Sequence, residues 1–153
     1  MNARHRRSAR GRSAGLVLAT LVATGPVGAG EPTPVTVTVT NLANPGGTLL
    51  LGAYASADGW LGADPAAQAT VAVPAQLPDG GLRLELRLPP GRYALSVFHD
   101  RNGNRRLDTN FLGIPKEQSG ASNDAPARFG PPQFDDALVT VGAEPLALAI
   151  RLN

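Results

Sequence analysis

The chain is predicted to be all-β: a small two-sheet β-sandwich, immunoglobulin-like or transthyretin-like, with one long ordered loop. Three observations lead there. Short segments alternate apolar and polar residues with the two-residue period of a strand. The 18 glycines and 14 prolines punctuate them at close intervals. No stretch beyond residue 29 carries the 3.6-residue period of a helix. At 153 residues, 42% of them hydrophobic, the chain has room and apolar surface for one core.

Val35, Val37 and Val39 alternate with Thr36, Thr38 and Thr40, and the β-branched side chains favour extended backbone, so a first strand starts here. After the turn residues Asn41 to Gly47, the apolar run Thr48 to Tyr54 reads as a buried strand whose register the pattern leaves open. Asp58-Gly59 marks a turn, and Thr70 to Val73 is a further short extended candidate. Leu82, Leu84, Leu86 and Leu88 share one face of a strand whose other face carries Arg83, Glu85 and Arg87. Pro90-Gly91 fits the centre of a type II turn, and Tyr93, Leu95 and Val97 resume the alternation, which predicts a hairpin. Leu138 to Val141 is a short strand, and Leu146, Leu148, Ile150 and Leu152 line one side of the last. Pro34, Pro74, Arg83 and Arg87 are placed to protect sheet edges.

The first 29 residues read as a leader rather than as part of this domain. Arg4, Arg6, Arg7, Arg10 and Arg12 precede an apolar run from Ala14 to Thr24, then the breaker Gly25-Pro26 and the small residues Val27-Gly28-Ala29. That is the layout of a secretory signal peptide. As a helix the apolar run would reach about 16 Å, roughly half the thickness of a hydrocarbon core. The expected organisation is a signal peptide over 1–29 and a single β-sandwich over 30–153, with a periplasmic or secreted location and no integral membrane segment after cleavage. Removing the leader leaves nine of the fourteen basic residues and all twelve acids, so a net charge of +2 becomes −3. The remaining basic residues are scattered along the sequence, which gives no motive for nucleic-acid binding. The absence of Cys excludes a disulfide framework, a thiolate metal site and a cysteine nucleophile.

The long loop runs from His99 to Asp136, and structureless loops beyond about 15 residues are usually functional or disordered. Asp100, Asn102, Asn104 and Asp108 fall at positions 1, 3, 5 and 9 of a calcium-type loop, with the Arg106 carbonyl at position 7. Oxygen ligands at this spacing converge on one hard cation, and calcium suits them better than zinc. The run departs from the standard loop at position 6, where Gly is replaced by Arg105, and at position 12, where the bidentate acid is replaced by Phe111. Glu117 is the acid placed to fold back in its stead. Arg101, Arg105 and Arg106 would then have to point outward. The alternative is a metal-free, Asx-rich turn whose side chains accept their own backbone N–H groups. Beyond it, Phe111, Leu112 and Ile114 are expected to anchor the loop by packing, as are Phe129 and Phe134 around Pro131-Pro132; the competing reading is a ligand groove with aromatic platforms.

Catalysis finds little support. His99 is the one histidine after residue 29, and the serines it might partner, Ser96, Ser119 and Ser122, lack a nucleophile-elbow motif. His99 reads as a structural residue at a strand end, and no catalytic residue is assigned. A hydrolase acting on an envelope saccharide or ester through His99 and nearby acids is the least favoured alternative.

From about Val35 to Leu152 the chain resembles the bacterial domain-of-unknown-function family 2141, whose members are exported and mostly single-domain. The resemblance rests on Pro89-Pro90-Gly91-Arg92-Tyr93, on His99-Asp100 leading through Asn102, Gly103 and Asn104 to Leu107-Asp108-Thr109-Asn110, and on Phe111 to Glu117. It continues through Gly120, Ser122-Asn123, Phe129-Gly130-Pro131-Pro132 and Phe134-Asp135-Asp136-Ala137. No activity attaches to the family, so the resemblance implies neither substrate nor catalytic residue. The expected function is an exported, non-catalytic module that binds an envelope or extracellular ligand or protein through the long loop, with calcium organising that loop. A purely structural or assembly role is the alternative.

Overall fold

The computed structural model describes residues 30–153. The expected signal peptide, 1–29, lies outside the described residues. Eight strands are found among the latter: β1 (Thr33–Thr40), β2 (Thr48–Tyr54), β3 (Ala67–Ala72), β4 (Leu82–Leu88), β5 (Gly91–Asp100), β6 (Ser119–Ala121), β7 (Leu138–Val141) and β8 (Leu146–Arg151). They form two facing sheets, as the alternation predicts. The smaller has the order β4-β1-β8; the larger has β3-β2-β5, with β6 and β7 sharing the far edge of β5. The β1–β8 pair is parallel and the others are antiparallel. Among the described residues no helix is long and apolar enough to cross a membrane.

Each sheet contributes alternate side chains to one core. Val35, Val37, Val39, Leu84, Leu86, Leu88 and Ile150 face Leu49, Leu51, Ala53, Tyr93, Leu95 and Val97, all of them buried. At about 1.5–3 kcal/mol per buried Leu, Val or Ile, this shared core is the main source of stability. Arg83, Glu85 and Arg87 stay exposed on the edge strand β4. Pro34 belongs to the central β1, at a position before the β8 pairing begins at Val35, so its missing N–H interrupts no rung on that side.

Two expectations are corrected. Pro90-Gly91 does not close a hairpin: β4 pairs with β1 in the small sheet and β5 with β2 in the large one. Two successive prolines withhold the N–H groups that a continuing ladder would need. The chain therefore turns a corner between sheets, with Leu88 and Tyr93 buried in one core. The Tyr93 hydroxyl donates to the Pro89 carbonyl at 3.1 Å, which pins this corner in the manner of a tyrosine corner. Tyr93→Phe is expected to lower the unfolding free energy by about 0.5–1.5 kcal/mol. Urea titration checks this, and an unchanged midpoint would remove the hydrogen bond's role.

The second correction concerns the long loop, which is not one segment. His99 and Asp100 belong to β5, and β6 with a 3-10 turn at Ser122–Asp124 divides the rest into 101–118 and 125–137. The second part lies back over the outer face of the large sheet. There Phe134 and Trp60 pack beside Ala94, Ala121 and Ala137. Trp60 meets Tyr54 edge-on at 5.2 Å, and its Nε1 donates to the Pro132 carbonyl at 2.7 Å. Burial pushes the Tyr54 hydroxyl above its ordinary pKa.

Candidate functional site

The 101–118 loop leaves the end of β5, where alternation has sent two adjacent side chains to opposite faces. His99 continues the inward face and is fully buried; its Nε2 donates to the Gly46 carbonyl at 2.6 Å, which leaves Nδ1 without a partner. A general base needs a ring nitrogen open to substrate, and His99 holds both of its own inside the fold.

Asp100, also buried, turns outward and organises the loop. Its Oδ1 accepts the Gly103 N–H at 2.8 Å and its Oδ2 the Arg105 N–H at 2.8 Å. Asn102 Oδ1 accepts from the Asn104 N–H, and Asn104 Oδ1 from the Arg106 N–H. Both amides donate through Nδ2 to the Asp108 carboxylate, Asn102 at 2.6 Å and Asn104 at 2.9 Å. Glu117 is buried, and its two oxygens accept the Arg101 and Asp108 N–H groups at 2.9 and 3.2 Å. Of the predicted side chains, Asn102 and Asn104 thus meet at Asp108, while Asp100 and Glu117 each hold backbone N–H groups of the loop, and Arg106 is tied in through its N–H.

Two details bear on what this cluster can hold. Arg105, where the calcium-loop pattern has Gly, takes the left-handed backbone at φ 60°. That conformation costs a non-Gly residue about 1–2 kcal/mol. Arg101, Arg105 and Arg106 are all exposed. Among the described residues no three His, Asp or Glu side chains gather around one point. A cation here would take carboxylate oxygens from Asp100 and Asp108 and neutral oxygens from Asn102, Asn104 and the Arg106 carbonyl. Each Asn Oδ1 accepts one N–H and keeps a second lone pair.

Next in the chain is a turn that strand periodicity does not announce. Asn110 Oδ1 accepts the N–H groups of Leu112 and Ile114 at 2.9 and 3.0 Å. The Asn110 N–H donates to the Ile114 carbonyl at 2.8 Å, Gly113 donates to Asn110 at 2.9 Å, and Thr109 bridges Pro115. Its one signal in the sequence is an Asn three residues before a Gly. The expected packing of its apolar side chains does not occur. Phe111 is 95% exposed, Leu112 68% and Ile114 55%. The turn's hydrogen bonds hold its backbone on itself, so these side chains project from the fold. Phe129 is fully exposed as well, on the other loop.

The groove reading places Phe129 beside a broad depression of about 740 Å³ lined by Asn123, Pro131 and Asp136 among others. Of its polar side chains, Asn123 is already engaged. Asn123 Nδ2 donates to the Asp136 and Leu138 carbonyls, and Phe134 is drawn into the Trp60 cluster.

The family model described as "Uncharacterized protein conserved in bacteria (DUF2141)" matches residues 37–148. No curated protein and no solved structure matches the chain.

Proposed function

The chain belongs to the DUF2141 family of bacterial proteins, and from that premise we propose that it is an exported, non-catalytic β-sandwich that binds an envelope component through its 101–118 loop. One observation carries this reading: three large apolar side chains stand exposed on a turn closed by its own hydrogen bonds, and none of them belongs to the core. Exposed apolar residues grouped in this way mark interaction surfaces. Calcium is the proposed organiser of the loop, held by Asp100, Asn102, Asn104, Asp108 and the Arg106 carbonyl, with Glu117 clamping the backbone behind it. The exposure of the arginines and the left-handed backbone at Arg105 are consistent with such a site. Two carboxylates and neutral oxygens suit the weak binding, about 10⁻⁴–10⁻³ M, of extracellular modules.

Calcium at ten times Kd is expected to stabilise the domain by about 1.4 kcal/mol, a rise in Tm of about 4–8 °C. Asp100→Ala and Asp108→Ala should abolish the response. Arg105→Gly, which removes a positive charge and the left-handed strain, should enhance it. Absence of both heat on titration and any Tm shift in the wild-type protein would overturn calcium's part in the reading.

A further inference from the structure

We infer that the turn Phe111–Ile114 is a docking element for an anionic lipid surface. The inference deepens the binding function proposed above and rests on it for the loop's role, but not for calcium. Phe111, Leu112 and Ile114 are three of the five large apolar side chains exposed among the described residues, and they fall within four consecutive positions. Scattered singly they would need no explanation.

Two further features select a membrane over a protein groove. The first is backbone hydrogen bonding. The N–H groups of Asn110, Leu112, Gly113 and Ile114 are all engaged inside the turn. A segment that enters hydrocarbon must bring its own partners for such groups, because lipid tails offer none. Asn110 supplies partners for the Leu112, Gly113 and Ile114 N–H groups, which reduces the number of bare donors that the turn would carry into the lipid. A segment docking into a protein groove has no need to be satisfied in advance, since the groove can supply partners.

The second feature is charge. Arg101, Arg105, Arg106 and Lys116 are all exposed on this loop. Its three acids are withdrawn: Asp100 and Glu117 are buried on backbone N–H groups, and Asp108 is engaged by two amides. The loop thus exposes four basic side chains along with its apolar tip, while residues 30–153 as a whole carry nine basic and twelve acidic side chains. Exposed apolar side chains accompanied by basic ones complement acyl chains beneath anionic phosphates. The remainder of the domain, more acidic than the whole, is kept off the surface by the same field.

Residues 30–153 hold the core that joins the two sheets, and in that form the protein can be sedimented with vesicles of phosphatidylglycerol mixed with phosphatidylcholine, or of phosphatidylcholine alone, with calcium or with a chelator. Binding to the anionic vesicles is expected to be about tenfold or more tighter. Phe111→Ser combined with Leu112→Ser should lower it by about tenfold. Arg105→Gln with Arg106→Gln should remove the preference for anionic lipid. Because the apolar pair is exposed, its variant should keep the wild-type Tm. No sedimentation of the wild-type protein, or equal sedimentation of the Phe111/Leu112 variant, would overturn the inference. If Tm still rises with calcium in that case, the lipid inference fails and calcium binding stands; lipid binding with no calcium response upholds the lipid inference and removes calcium. A concentration-dependent oligomer that the Phe111/Leu112 variant abolishes, without vesicle binding, would also overturn the inference and assign the tip to assembly.

Discussion

Replacing Ser122 with alanine is expected to lower the unfolding free energy by about 2–4 kcal/mol, because a buried donor and a buried acceptor lose their partner together at about 1–3 kcal/mol each. The reason lies in the edge of β5. Its first residues pair with β7, from Gly91 to Ala94, and its later ones with β6, from Ser96 to Phe98. Leu95 falls in the gap between the two. There the Ser122 hydroxyl accepts the Leu95 N–H at 2.9 Å and donates to the Ala137 carbonyl, so one side chain stands in for a missing rung of backbone. Leu95, Ser122 and Ala137 are all buried, which leaves little access for water as a substitute. In urea the midpoint should fall at constant m-value, and the Leu95 amide should exchange faster through local opening. A loss below about 0.5 kcal/mol, the range of an ordinary surface change, would remove Ser122 from this role.

Gly120→Ala should be at least as damaging, about 3 kcal/mol or more, because the added methyl has nowhere to go. A Cβ at Gly120 would clash with the Arg151 carbonyl oxygen and stand 2.8 Å from Ile150 Cγ2. One of these neighbours is backbone and the other belongs to the core. The contact exists because β6 lies against β8 where the two sheets meet, and Ser119 and Asn153 exchange backbone hydrogen bonds there. Gly142→Ala is the matched control: its added methyl meets nothing within 4 Å. Similar thermal unfolding of the two variants would show that the seam yields, contrary to the close packing described.

Both residues also indicate how much the sequence makes legible. Ser122 offers the sequence only a hydroxyl without a nucleophile motif. Its structural task depends on two short strands that leave a gap on one edge, and neither strand's pairing is local. Ser119, Gly120 and Ala121 have almost no hydrophobic signal, so apolar alternation does not find β6. The Asp100–Asp108 spacing is legible because side chains two residues apart in a tight loop lie close together locally, whereas the backbone N–H groups that Glu117 accepts, those of Arg101 and Asp108, are not announced by spacing. The exposure of Phe111, Leu112 and Ile114 runs against expectation. Apolarity says that a side chain gains from burial, not that any partner lies within reach.

The sequence by itself determined the two-sheet class, the inward faces of β1, β4, β5 and β8, and a shift of net charge to −3 once residues 1–29 are set apart. These are properties of the local period: side chains two residues apart share a face whatever the partner strand. The tertiary structure alone decided that β4 and β5 meet across a corner, that β1 and β8 run parallel, and that the loop tip faces solvent. Each of these depends on which distant segment comes alongside, and the period of a single strand is the same against any neighbour.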